Sequence, residues 1–192
     1  MTFFDTHEKR VTKIAAILSK ILEIAYFAAM ICVVVMLVLV LVDPALPGRL
    51  GPLEELSSRG FSIIIADSQG KLLPGALPVF FIEAALSLGL MSMVFRNVNL
   101  ILRTSQGQTK FSKGATPFQK DNVRMLREIG LFFISITLVQ LIFCGTAMLV
   151  LGPENAEVSA GAGDLITGIL MLWLSQCFAR GEKIQQDVDG LV

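Results

Sequence analysis

The sequence predicts an all-α integral membrane protein: a four-helix bundle with a small extracytoplasmic β-hairpin loop between helices 1 and 2. Three observations carry that expectation. Four apolar stretches run at about Ile21–Val42, Leu77–Phe95, Ile129–Leu151 and Leu165–Ala179. Charged residues make up only 17% of the 192 positions, against about 25% in a soluble domain. The charges between the stretches are also sorted by sign.

A bilayer core of about 30 Å is crossed by about 20 apolar helical residues. The first three stretches hold 22, 19 and 23 residues, so each is long enough. The predicted spans are about 21–42, 77–95, 129–151 and 163–180. The longest polar segments, about Asp43–Ala76 and Arg96–Glu128, are shorter than an ordinary independent domain. Residues 1–192 therefore read as a single membrane domain.

Charge gives the orientation. Arg96–Glu128 carries seven bases (Arg96, Arg103, Lys110, Lys113, Lys120, Arg124 and Arg127) against Asp121 and Glu128. The Gly152–Asp164 loop carries Glu154, Glu157 and Asp164 and no base. The first 20 residues add Lys9, Arg10, Lys13 and Lys20. Lys and Arg in short loops mark the cytoplasmic side. The reading is a multi-pass protein of a bacterial inner membrane, with both termini and the middle connection inside. The first apolar stretch is longer than a signal-peptide core and no A-x-A site follows it, so the first helix is expected to stay in the mature protein.

Each element has its own signals. The first helix starts near Val11 and stops at Asp43-Pro44, because the residue before proline avoids the α region. Pro47, Gly48, Gly51 and Pro52 extend that break. In the following loop, Phe61–Ala66 is apolar and β-branched. Asp67-Ser-Gln-Gly70 suits a turn, and Lys71-Leu72-Leu73 suits a return strand. An isolated hairpin is barely stable in water, so this one must lie on helix ends or on the membrane surface, as a cap or as a ligand-sensing flap. The second helix starts near Pro78 and continues past the bilayer to Arg103. The third starts at Thr116-Pro117-Phe118-Gln119, a capping box with Thr as N-cap and Pro at N1. Its first dozen residues stand in the cytoplasm. There Phe118, Asn122, Met125 and Ile129 share one face; Lys120, Arg124 and Arg127 share another and meet anionic headgroups at about 1 kcal/mol per base. In the fourth helix Ser159, Gly163 and Thr167 are spaced for close helix approach.

Two segments carry a family resemblance. Gly114-Ala-Thr-Pro-Phe-Gln-Lys-Asp-Asn-Val-Arg-Met-Leu-Arg-Glu-Ile-Gly130 follows the pattern G-x-x-PF-x-x-x-NV-x-x-LR-x-IG. Phe178-Ala-Arg-Gly-Glu-Lys-Ile-Gln-Gln-Asp-Val-Asp-Gly-Leu-Val192 follows F-x-x-G-x-x-L-x-x-D-V-E-G-x-V, with Ile184 for Leu and Asp189 for Glu. Together they resemble the bacterial four-helix membrane family called domain of unknown function 2975. The resemblance spans the whole chain in helix order. It implies no biochemical activity. It implies a membrane partner for a small cytoplasmic helix-turn-helix regulator, an implication by analogy.

The inventory for chemistry is thin. His7 is the only histidine, and no phosphate-loop, nucleophile-elbow or zinc-protease motif occurs. Cys32, Cys144 and Cys177 lie in or at the ends of apolar stretches, where free cysteine acts as a small hydrophobe. No enzyme, cofactor or metal is expected. Glu83 is the most pointed residue, because a carboxylate at bilayer depth costs about 2.5–3.5 kcal/mol on insertion scales and usually marks function. Otherwise it snorkels to the outer interface or is protonated within the bundle. Gln140 and Gln176 read as glue between helices. Asp164 suits a helix N-terminus. Glu83, Gln140 and Asp164 form the candidate intramembrane polar site. Arg96, Arg103, Pro117, Phe118, Asn122, Arg127 and Gly181 form a candidate partner surface. An ion-pair cluster of Arg96 and Arg103 with Arg127 and Glu128 is expected there; the alternative to a docking surface is that these arginines are membrane anchors. The segment is too weakly basic, and lacks a recognition helix, for direct nucleic-acid binding. Two functions follow as expectations: a membrane regulator of a cytoplasmic protein, or a small transporter or channel component acting as a homo-oligomer.

Overall fold

The computed structural model describes residues 3–44, 46, 54–67, 71–110, 112, 116–158 and 161–189. The expected breaks at Pro47, Gly48, Gly51 and Pro52, the Ser68–Gly70 turn, Gly114, Ser159 and the final three residues lie outside them. The protein is mostly helical, with four long apolar helices and a small sheet. In chain order they are α1 (Phe3–Val42), β1 (Glu55–Ser58), β2 (Phe61–Ile64), α2 (Ala76–Ser105), α3 (Lys120–Leu151), β3 (Ala156–Val158) and α4 (Gly161–Asp189).

All four helices are long and apolar enough to cross a membrane, α1 most strongly and α4 least. This is the architecture of a multi-pass membrane protein. At 1.5 Å per residue, the 30 residues of α2 extend about 45 Å, more than a bilayer core needs. Large apolar side chains stay exposed along α1 and α4, among them Val11, Ile14, Leu41, Ile166, Leu170 and Trp173. Water would penalise such a surface; lipid tails do not.

The helix ends follow their local chemistry. α1 stops at Val42, before Asp43-Pro44. Pro78 falls in the first turn of α2, where its missing N–H removes no helical bond. α1 begins at Phe3, so His7 belongs to a helix rather than to a loose terminus.

The chain divides into two compact units. One comprises Met1–Ala25, Met91–Phe133 and Ile166–Val192, and holds both motif segments. The other comprises Tyr26–Leu90 and Ile134–Leu165, and holds the sheet.

In the sheet unit the strand order is β1-β2-β3, all antiparallel. Ser58 pairs with Phe61, so Arg59-Gly60 is a two-residue turn. Both turn residues have positive φ, 49° and 92°, as a type I′ hairpin requires. The central strand buries Phe61 and Ile63 completely, because alternate side chains share a face. They join Val40, Ile65, Leu77, Phe80, Ala84, Cys144 and Ala147 in one core. Phe61 stacks on Phe80 with ring centroids 6.3 Å apart.

This corrects the expected hairpin. A hairpin does stand between α1 and α2, but β2 pairs with Glu55–Ser58 upstream. Lys71–Leu73 returns only as a single bridge, Ala66 to Leu72, with Leu73 N donating to Ile65 O at 2.8 Å. The Arg59-Gly60 turn closes the shorter loop. The far side of β2 is taken by β3, from the acidic loop after α3. Three residues are too few to show as a strand in the sequence. Asn155 Nδ2 caps α3 by donating to Leu151 O at 2.6 Å.

In the motif unit α3 starts at Lys120, later than the capping box predicts. Gln119 N donates back to Pro117 O at 3.0 Å, and Val123 N to Gln119 O at 3.1 Å. The chain bends tightly at Phe118, and Gln119 becomes the N-cap. Thr116 and Gln119 still meet, but Gln119 Nε2 donates to the Thr116 carbonyl at 2.8 Å. Three of the four residues of the expected face, Asn122, Met125 and Ile129, are buried, and Lys120, Arg124 and Arg127 are exposed. Phe118 precedes the helix and is exposed, so it does not continue that face.

The close helix approach falls elsewhere than predicted. A Cβ at Gly163 would meet nothing within 4 Å, whereas one at Gly130 would lie 2.8 Å from Gly168 O. Gly130 and Gly168 let α3 and α4 pack closely.

Candidate functional site

The polar side chains that the sequence singled out fall into two groups. Glu83, Gln140 and Asp164 are in the sheet unit; the candidate partner surface is in the motif unit.

In the sheet unit the organising residue is Arg59, at the hairpin turn. Its left-handed backbone closes the turn between β1 and β2. Nη2 donates to both carboxylate oxygens of Asp164 at 3.1 Å each. Asp164 lies in the first turn of α4, where a negative charge also favours the helix. The Arg59 carbonyl accepts from Gln140 Nε2 at 3.0 Å. Gln140 on α3 is fully buried. Instead of joining two helices, it ties one helix to the turn. Glu83 on α2 is also fully buried, so it does not snorkel. Its Oε1 accepts from Ser87 Oγ at 2.7 Å, one helical turn on. Glu83 stands within electrostatic range of Arg59.

Three atoms in this group are buried without a hydrogen-bond partner among the described residues: Arg59 Nε, Glu83 Oε2 and Gln140 Oε1. One is a donor and two are acceptors. An unmet buried polar atom costs about 1–3 kcal/mol, so such a cluster in an apolar setting is a candidate for binding water, a proton or a small polar solute. Sequence reading found Glu83, Gln140 and Asp164. It missed Arg59 as their partner and Ser87 as the group that holds Glu83. The available signal was Arg-Gly between two short alternating segments, a turn signature.

In the motif unit the two resemblance segments pack together. The Phe118 ring meets Phe178 with centroids 5.3 Å apart. A Cβ at Gly181 would lie 2.6 Å from Phe118 Cδ1, so only glycine leaves the ring its place. Thr116 Oγ1 donates to Gln185 Oε1 at 2.9 Å. Asn122, fully buried, holds the bend by donating to Pro117 O at 2.9 Å. Thus Pro117, Phe118, Asn122 and Gly181 are brought to one place.

The expected arginine cluster is not formed. Glu128 is engaged by Arg124 at 3.4 Å and by Asn97 Nδ2 at 2.9 Å. Arg96, Arg103 and Arg127 are exposed and enter no ion pair among the described residues. The carboxylate is reached first by Asn97 and by Arg124, its neighbour one turn away on α3. Gln176 is exposed, and Ser175 is the buried polar residue of that turn. Asn99 Nδ2, also buried, donates to Ala16 O at 2.6 Å.

Comparison of the chain with protein-family models, curated proteins and solved structures finds no match.

Proposed function

We propose that this chain is a non-catalytic protein of the bacterial cytoplasmic membrane that holds or regulates a soluble partner on its inner face. Both termini and the connection between α2 and α3 lie on the cytoplasmic side in this reading, supported by the basic excess of that connection. The sheet then faces outward. The observation that carries the proposal is the packing of Phe118 against Gly181 and Phe178. It joins the segment that leads into α3 to the second half of α4, which a bare membrane anchor would leave independent, and Arg103 and Arg127 remain exposed in the same unit. A helix-turn-helix regulator is the partner that the resemblance to domain of unknown function 2975 suggests.

The test is affinity purification of the tagged chain from detergent-solubilised membranes, beside an Arg103→Glu, Arg127→Glu double variant. A helix-turn-helix protein recovered with the wild type and lost from the variant supports the reading, as does altered transcription on deletion. Neither result appearing contradicts it.

A second reading, an oligomeric transporter or channel component, is favoured by the buried, unpartnered oxygens of Glu83 and Gln140. Intramembrane carboxylates commonly line solute or proton paths. Four helices leave little room for a pore, so several copies would be needed. Unchanged flux in Glu83→Gln membranes removes its support.

A further inference from the structure

A cleft of about 380 Å³ opens in the motif unit between α2 and α3. Ligand pockets start at about this size. Its walls are of two kinds. Arg96, Asn97, Arg124 and Glu128 line one part, and the apolar side chains of Met93 and Phe132 line another.

The position in the chain matters. Arg96 directly follows the apolar run that ends at Phe95, and Arg124 lies five residues before the run that begins at Ile129. Both bases therefore sit where apolar chain gives way to polar chain, the level of lipid headgroups. Part of the apolar lining lies on the bilayer side of each arginine: Met93 precedes Arg96 on α2, and Phe132 follows Arg124 on α3, while Leu100 lines the cleft beyond Arg96.

The charges leave a surplus. Glu128 is already held by Asn97 Nδ2 at 2.9 Å and by Arg124 at 3.4 Å. Arg96 meets no acidic group among the described residues. Two guanidiniums against one carboxylate leave one positive charge, with Arg96 presenting its donor fork. Such a fork suits the oxygens of a phosphate.

We propose that this cleft binds a phospholipid of net single negative charge, its phosphate between Arg96 and Arg124 and an acyl chain along Met93 and Phe132. The inference needs only that the chain spans a membrane, and it stands apart from the docking reading.

The full chain, delipidated in detergent, is titrated with phosphatidylglycerol or phosphatidylcholine, and bound lipid is read by native mass spectrometry. Phosphatidylglycerol should bind more tightly. Arg96→Gln and Arg124→Gln should each weaken it about fivefold, the factor for one basic contact at the membrane surface. Arg96→Lys, which keeps the charge and loses the fork, should bind more tightly than Arg96→Gln and less tightly than wild type. Arg103→Gln, on the same helix but outside the cleft, should leave it unchanged. All the arginines replaced are exposed, and unfolding midpoints within a degree or two of wild type will show that the fold is kept. Equal binding of the two lipids overturns the proposal. So does an equal loss in Arg103→Gln. Displacement of the lipid by inorganic phosphate would show that the site reads the free anion, and would overturn it too.

Discussion

The two units bury polar side chains in different ways. In the motif unit, buried amides hold main-chain carbonyls: Asn99 takes Ala16 O, Asn122 takes Pro117 O and Gln119 takes Thr116 O. In the sheet unit, ionisable groups are half-buried or buried: Arg59 faces Asp164, and among the described residues Glu83 is held by Ser87. The first arrangement fixes backbone at low electrostatic cost, and its neutral partners are not screened by salt. The second leaves three buried polar atoms unmet among the described residues, Arg59 Nε, Glu83 Oε2 and Gln140 Oε1, against one, Asn122 Oδ1, in the first. A close helix contact distinguishes the motif unit, and an ion pair beside a buried carboxyl distinguishes the sheet unit, and substitutions should separate them.

The largest effect is expected where backbone meets backbone. Gly130→Val places a side chain 2.8 Å from Gly168 O. A carbonyl in a helix cannot swing aside, so the helices must part, at about 3 kcal/mol. Gly163→Val, in the sheet unit, meets open space and should change stability by less than about 0.5 kcal/mol. Thermal unfolding in detergent measures both. Equal effects would mean that close packing does not distinguish the units.

Next is Gly181→Ala. The obstructing atoms belong to Phe118, a ring that is 40% exposed and can turn away. The expected cost is about 1–2 kcal/mol. In a Phe118→Ala background the same change should cost almost nothing, because the obstruction is gone. A cost that persists in that background would show that helix flexibility, not the aromatic contact, selects glycine there.

These residues also show what was legible beforehand. The four helices were, because a bilayer demands apolar length that composition exposes directly. The Asn122, Met125 and Ile129 face was, because helical spacing is regular, but Phe118 falls before the helix begins and is exposed. The unit's aromatic–glycine contact lay inside two recognisable motifs. The sheet unit was harder to read. Glu83, Gln140 and Asp164 stood out as polar residues at apolar positions, but their partner did not. Arg59 looks like any loop cation until the turn puts it beside Asp164, 105 residues away in the chain. Strand pairing was misassigned for a related reason: Asp67–Gly70 has stronger turn residues than Arg59-Gly60, yet the closer segment paired. Where two segments compete, register depends on contacts that a single sequence does not contain. The arginine cluster failed because spacing sets which face a residue shares, not which acid it reaches first.

A smaller effect tests the charged side of the comparison. Ser87→Ala removes the one hydrogen bond that Glu83 accepts among the described residues, and should cost about 1–2 kcal/mol, since a buried carboxyl oxygen loses its partner. With Glu83→Leu already present, Ser87→Ala should be nearly neutral. The difference between the two backgrounds measures the pair directly. An identical cost in both would show that Ser87 acts through packing and that Glu83 is held by something else.

The smallest effect is the most discriminating. Gln140→Met keeps the side-chain length, loses one hydrogen bond to Arg59 O and removes an acceptor that has no partner. The lost bond is worth about 1 kcal/mol, and the removed acceptor costs about 1–3 kcal/mol while it is unmet. The two nearly cancel, so the unfolding midpoint should barely move if Oε1 is unmet in the membrane as well. A clear destabilisation would mean that Oε1 has a partner there, a bound water or solute. That result would move the sheet unit from strained structure to ligand site, and would strengthen the transport reading at the expense of the docking one.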